Sequence, residues 1–175
     1  MIKKIIGILF ILLLLFPLPS RADSNFPVSF DVTYTVKEDG ITHVVFNGNI
    51  QNASIKYYAT SYTMQLGFTD IQNLRVSDSK GIINATIKET EKGKSLYIPF
   101  NSKVATPNKP FPFTVSLDTT DIAKHAGTIW EINIPGIANE TDFKEFTVHV
   151  QVPGSFGKPA YSKPPVMNDS LDFDK

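Results

Sequence analysis

Three histidines, His43, His125 and His149, together with scattered carboxylates and many serines, are the side chains here best suited to acid–base, nucleophilic or metal chemistry, because cysteine is absent. A serine nucleophile needs a base within hydrogen-bond reach, and the Gly-x-Ser-x-Gly elbow that would present one does not occur. A zinc site asks for closely spaced ligands, as in His-Glu-x-x-His on one helix face. No two histidines here have that spacing. His43 and His149 each alternate with apolar neighbours, which predicts solvent-facing strand histidines. His125 lies close in sequence to Asp118 and Asp121, in residues 118–127, the one stretch that reads as a short helix.

Carboxylate pairs that could be nominated are Glu38 with Asp39, Asp118 with Asp121, Glu140 with Asp142, and Asp172 with Asp174. Each falls in or beside a turn, where an acid caps backbone N–H groups and stays solvated. The Asp-x-Asp at 172–174 would suit calcium, but it lacks the glycine and distal glutamate of a calcium loop. The sequence therefore nominates no catalytic residue, no metal ligand and no cofactor. Asn-x-Ser/Thr triplets begin at Asn52, Asn84, Asn139 and Asn168 and could accept glycans in an exported chain, although a composition this rich in Asn, Ser and Thr supplies such triplets by chance. What remains is binding. Tyr57, Tyr58 and Tyr62 fall on one polar strand-like run and Phe111 stands between two prolines, an aromatic strip able to meet a glycan, a peptide or a neighbouring domain. Tyrosine is also simply a good strand residue.

The elements that must position these side chains are strands. Phe30, Val32, Tyr34 and Val36 alternate with Ser29, Asp31, Thr33 and Thr35, the pattern of a half-buried strand. Lys37-Glu38-Asp39-Gly40 then reads as a hairpin turn, with Gly40 free to take a positive φ. Val44, Phe46 and Ile50 continue the apolar face, with Thr42 and Gly48 leaving room on it. Further runs cover residues 54–67, 74–76, 83–87 and 96–100, and Phe113, Val115 and Leu117 alternate after Pro110 and Pro112, which suit a strand start or edge. Trp130, Ile132 and Ile134 stop at Pro135-Gly136, and Phe146, Val148, Val150 and Val152 give the cleanest alternation of all. About eight or nine short strands with almost no helix predict an all-β antiparallel β-sandwich. Its expected anchors are Phe30, Val32, Phe46, Trp130, Ile132, Val148 and Val150.

Lys3 and Lys4, an apolar run over residues 5–16, and Ser20-Arg21-Ala22 form the three-part grammar of a secretory signal peptide, with cleavage expected after Ala22. Twelve apolar residues fall short of the about 20 that a spanning helix needs, so an uncleaved anchor is the lesser reading. Losing Lys3, Lys4 and Arg21 leaves 14 basic residues against 17 acidic ones, a formal charge of minus 3. No basic tract could neutralise a row of phosphates, so nucleic acid is not an expected partner; a polybasic membrane-surface patch is likewise missing, so membrane contact is expected only through the signal segment if it stays uncleaved. The expected organisation is a signal peptide at 1–22, a sandwich domain at 24–155, and a Pro/Gly-rich linker at 156–175 that ends in what reads as the start of a further strand. The chain is expected to be exported, to the cell envelope or the medium.

Four segments carry a resemblance: DVTYTVKEDGITHVVFNGNIQN, QLGFTDIQNLRVSDSKG, GTIWEINIPGI and DFKEFTVHVQVPGSFGKP. Together, over about residues 27–160, they resemble the amino-terminal region of exported bacterial proteins that carry a transglutaminase-like domain further along. That region is in turn distantly similar to the amino-terminal β-sandwich domains of zinc aminopeptidases and ribophorin-type proteins. In such proteins the chemistry belongs to a Cys-His-Asp triad in the later domain, and with no cysteine here the triad maps onto no residue of this chain. The resemblance implies a non-catalytic scaffold or substrate-presenting module whose partner is a following domain of the same polypeptide. A free-standing domain that binds an envelope polymer or protein through Tyr57, Tyr58, Tyr62 and Phe111 is the alternative.

Overall fold

A computed structural model describes residues 24–91, 93–136, 143–163 and 165. The segment read as a signal peptide, the Glu140–Asp142 and Asp172–Asp174 pairs, Asn139 and Asn168 lie outside the described residues. Eleven strands are found among the described residues: β1 Val28–Val36, β2 Thr42–Gln51, β3 Ala59–Leu66, β4 Gln72–Asp78, β5 Gly81–Ile82, β6 Thr86–Thr90, β7 Gly93–Val104, β8 Pro110–Thr119, β9 Ala123–Ala126, β10 Ile129–Ile132 and β11 Phe143–Gln151. They form a six-stranded sheet of order β11-β1-β2-β8-β4-β5, a three-stranded sheet of order β3-β7-β6, and the separate β9–β10 hairpin. The two sheets enclose one apolar core, with Phe30, Val32, Phe46, Val115 and Leu117 from the first and Met64, Leu66, Leu96 and Ile98 from the second. This is the all-β sandwich that the alternation predicts.

Local chemistry explains the centre of the larger sheet. Between β1 and β2, Gly40 adopts φ +84° and donates its N–H to the Lys37 carbonyl, while Asp39 caps the Ile41 N–H. The register that this turn sets puts Val32 opposite Phe46 and Tyr34 opposite Val44, so both apolar faces meet the same side. Gly48 faces that core because Phe113 lies across it. A Cβ at position 48 would stand 2.3 Å from the Phe113 ring. The other pairings between named strands are antiparallel, but β11 lies parallel to β1, with Phe146 beside Phe30, Val148 beside Val32 and Val150 beside Tyr34. A parallel neighbour cannot be reached through a hairpin, and β11 arrives only after the rest of the sandwich has been laid down.

Four sequence expectations are corrected. Residues 118–127 are not helical: β8 runs to Thr119, and residues 123–126 form β9, paired with β10. The Asp121 carboxylate is held by the backbone N–H groups of Thr69 and Asp70, and Gly127, at φ +67°, helps close a two-residue turn, so the chain is committed to a hairpin. The run over 54–67 becomes a strand only from Ala59. Residues 83–87 are not one strand, because Ile83 is tucked into the core between β5 and β6. Finally, Phe30, Val32 and Phe46 are buried as expected and Ile132 is partly buried against the core, but Val148 and Val150 are not buried anchors. Trp130 is half-buried at the periphery, where it stacks on Phe156 with ring centroids 4.4 Å apart.

Candidate functional site: two interaction surfaces

Among the described residues, the shorter of the two His–Asp contacts joins neighbouring strands of the outer face. His43 on β2 lies opposite Asp118 on β8, with its Nδ1 2.7 Å from Asp118 Oδ1. Asn73 donates to the other carboxylate oxygen at 2.7 Å. The hydrogen bonds from Asn73 and then His43 hold the Asp118 carboxyl below the usual carboxylate range. A carboxylate so placed can orient an imidazole as a base, but a base needs a nucleophile to serve. The hydroxyl beside His43 in the register is that of Thr35, and it donates to Gln151 Oε1 at 3.0 Å instead. His149, on the edge strand, faces Asp31 at 3.5 Å with both side chains about half exposed. Both histidines point to solvent from strands, as their spacing predicts.

The other carboxylates staple loops together. Asp70 accepts the side-chain hydroxyl of Thr120 and the amide of Gln72, which lower its pKa. At Asp121 partial burial pulls the pKa up, but the N–H groups of Asp70 and Thr69 and the Thr69 hydroxyl outweigh it and leave the carboxyl low. Asp78 lines a shallow cleft of about 170 Å³ with Ser77, Ser79, Pro112, Phe113 and Thr114. Its oxygens are already taken by the Lys80 and Asn101 N–H groups and the Asn101 amide. Among the described residues no group of three or more His, Asp or Glu could hold a metal ion.

The four aromatics nominated from sequence do not form one strip. Tyr62, on β3, turns inward, its ring 6.1 Å from Phe30 and 5.8 Å from Phe113. Phe111 packs on Phe100 with centroids 4.8 Å apart. Tyr57 and Tyr58 precede β3 and stay 60% and 53% exposed, beside Ile55 at 89%. Lys103 Nζ stands 4.5 Å above the Tyr58 ring, a cation–π geometry. The loop carrying them is clamped from within. Buried Asn52 donates to the carbonyls of Tyr57, Ala105 and Val104 and accepts the Ser54 N–H, while Ser54 Oγ accepts the N–H groups of Lys56 and Tyr57. Asn52 therefore serves as a structural clamp in the folded chain and is not free to carry a glycan, whereas Asn84 is exposed. Sequence reasoning missed Ile55, although an Asx-type turn at Asn52-Ala53-Ser54 was available as its signal.

A second surface was missed altogether. On the core-facing side of β11, Phe143 and Phe146 pack on Phe30 with centroids 5.7 and 6.1 Å away. Beyond them Val148, Val150 and Val152 are 41%, 44% and 43% exposed. The six-stranded sheet is wider than the three-stranded one, and β11 is its edge. Among the described residues no strand pairs with the outer side of β11, and its apolar row is left largely open by the second sheet.

No protein family matches the chain, and neither does any curated protein. Among solved structures it is similar to a mutant M1 zinc metallopeptidase from Deinococcus radiodurans, at 12% identity and a TM-score of 0.49 over 79% of this chain and 35% of that one. The same mutant bound to a Tyr-Ser-Ala substrate gives 12% identity and a TM-score of 0.48 over the same shares. A two-domain M1 zinc metallopeptidase mutant bound to L-tryptophan gives 12% identity and a TM-score of 0.42, again over 79% and 35%. The chain spans about a third of the length of these metallopeptidase chains.

Proposed function

We propose that this chain is a non-catalytic β-sandwich module of an exported protein, and that it holds or presents something to a domain that follows it in the same polypeptide. The observation that carries this reading is the open apolar row of Val148 and Val150 on edge strand β11, continued by Val152 just past its end. A contiguous apolar strip beside unpaired strand N–H and C=O groups is a surface that folded proteins ordinarily cover. The chain leaves the sandwich at Pro153, directly after that row, so residues further along are the nearest candidates to cover it. In its finer form, the following domain is transglutaminase-like and supplies the Cys-His-Asp chemistry that this cysteine-free chain lacks.

The coding sequence downstream of the Lys175 codon tests the finer form. An open frame leading into a domain with a Cys, a later His and an Asp is the expected result, and a stop codon immediately after Lys175 would overturn it. The coarser form is tested by hydrogen exchange on the intact polypeptide. Those β11 amides that point away from β1 should be protected, and Val150→Asp should lift that protection while the amides bonded to β1 stay protected. Full exchange of the outward-pointing β11 amides in the intact wild-type polypeptide would count against docking on β11.

A further inference from the structure

The end of the sandwich opposite the β9–β10 hairpin combines features that the scaffold reading does not use. Its loop at residues 53–58 holds Ile55, Tyr57 and Tyr58 in solvent on a backbone fixed by Asn52 and Ser54. Exposed apolar side chains on a preorganised loop contribute nothing to the core, and ordering them in advance lowers the cost of binding something. Around them stand Lys56, Lys103 and Lys109, all exposed. Residues 52–69 and 101–117, which run from this end along the sandwich, include no Asp or Glu, although Asp78 bonds Asn101. Lys144, which bonds the Gln51 side chain, adds a fourth cation, and Glu145 is the acid next to it. The opposite end carries Asp70, Asp118 and Asp121, but there Lys37, Lys94 and Lys124 stand beside them.

The described chain also begins at this end. The Asn25 carbonyl accepts the Ala53 N–H, and Pro27 accepts that of Gln51. The apolar run of residues 5–16 closes nine residues before Asn25, a reach of at most about 30 Å when fully extended. Tyrosine and isoleucine side chains ringed by lysines suit the boundary between headgroups and acyl chains. Each lysine held near an anionic surface contributes about fivefold in occupancy. The apolar run is shorter than a spanning helix needs, and a second contact strengthens a marginal anchor.

We propose that the amino-terminal apolar segment is retained as an anchor, against the cleavage expected after Ala22, and that Ile55, Tyr57 and Tyr58, with Lys56, Lys103, Lys109 and Lys144, form a lipid-facing tip that rests on the anionic membrane surface holding that anchor. This surface is separate from the β11 row, so either proposal can fail alone.

The full chain, reconstituted in vesicles of equal parts phosphatidylglycerol and phosphatidylcholine, provides the test. With no native cysteine, a nitroxide can be placed singly through Ile55→Cys or, at the far turn, Thr128→Cys. The label at 55 should be shielded from a water-soluble nickel complex and reached by dissolved oxygen, while the label at 128 stays aqueous. Lys56→Gln and Lys103→Gln should each lower the docked population about fivefold, and Tyr57→Asp should abolish docking with an unchanged melting curve, since that side chain is exposed. Equal nickel accessibility at both labels would overturn the proposal. So would equal shielding at 55 in pure phosphatidylcholine vesicles, which would remove the role of the lysines. Shielding at 55 by a soluble polyanion without vesicles would replace the membrane by a different partner and overturn it too.

Discussion

β1 and β11 lie side by side and present the same alternating pattern to the same side of the sheet, yet they end in different environments. On β1, Val28, Phe30, Val32, Tyr34 and Val36 are all buried; one strand over, Val148 and Val150 keep roughly two fifths of their surface in water. Alternation fixes which face of a strand is apolar, because side chains alternate with period two. It does not say whether a second layer reaches far enough to cover that face. Here the covering sheet has three strands against six, so coverage ends between two adjacent strands of similar composition.

The largest expected contrast uses a register pair. Val32 and Val148 are partners across β1 and β11, so the same substitution at each probes coverage alone. Val32→Asp places a carboxylate in a fully buried site, which costs several kcal/mol, and should leave the chain unfolded by circular dichroism at ambient temperature. Val148→Asp should fold and change stability by no more than about 1 kcal/mol in urea titration. If Val148→Asp unfolds the chain as well, something covers β11 and the contrast between the strands disappears. A milder version compares two phenylalanines that touch. Phe30→Ala, at the centre of the aromatic cluster with Phe46, Phe113, Phe143 and Phe146, should cost about 3–5 kcal/mol. Phe146→Ala, on the partly open edge, should cost distinctly less.

The same comparison explains what could be read in advance. The β1–β2 hairpin was legible because its signals agree: two alternating runs, an acidic-Gly turn, and room at Gly48 for a neighbouring ring. Residues 118–127 were not, since four residues such as Asp121-Ile122-Ala123-Lys124 fit a helical turn or a short strand equally well. A contact fifty residues away, Asp121 with Thr69 and Asp70, accompanies the extended outcome. Val148 and Val150 were misjudged for a related reason, because burial there depends on the breadth of the opposite sheet and not on any residue of β11. Of the four aromatics proposed as a surface, the sequence could not separate Tyr57 and Tyr58 from Tyr62. The clamp at Asn52, which delays the strand until Ala59, looks in sequence like a glycosylation triplet.

The smallest predicted effect sharpens where coverage stops. Tyr34 sits on β1 beside Val150, and burial pushes its phenol up to about 12 from an ordinary value of about 10. Below pH about 10 neither the folded nor the unfolded chain is ionised at this position, and its contribution to stability is fully present. Between about 10 and 12 the unfolded chain releases a proton that the folded chain keeps, so stability falls as pH rises. Urea midpoints across this window should decline in the wild type and decline less in Tyr34→Phe, with the last tyrosinate absorbance appearing only as the fold is lost. Val150→Ala should leave that decline unchanged, because the water that reaches Val150 is separated from the Tyr34 hydroxyl by the width of one strand pairing. If Val150→Ala instead lets Tyr34 ionise early, the boundary between covered and open sheet runs through β1 itself, and the open surface is wider than the β11 row.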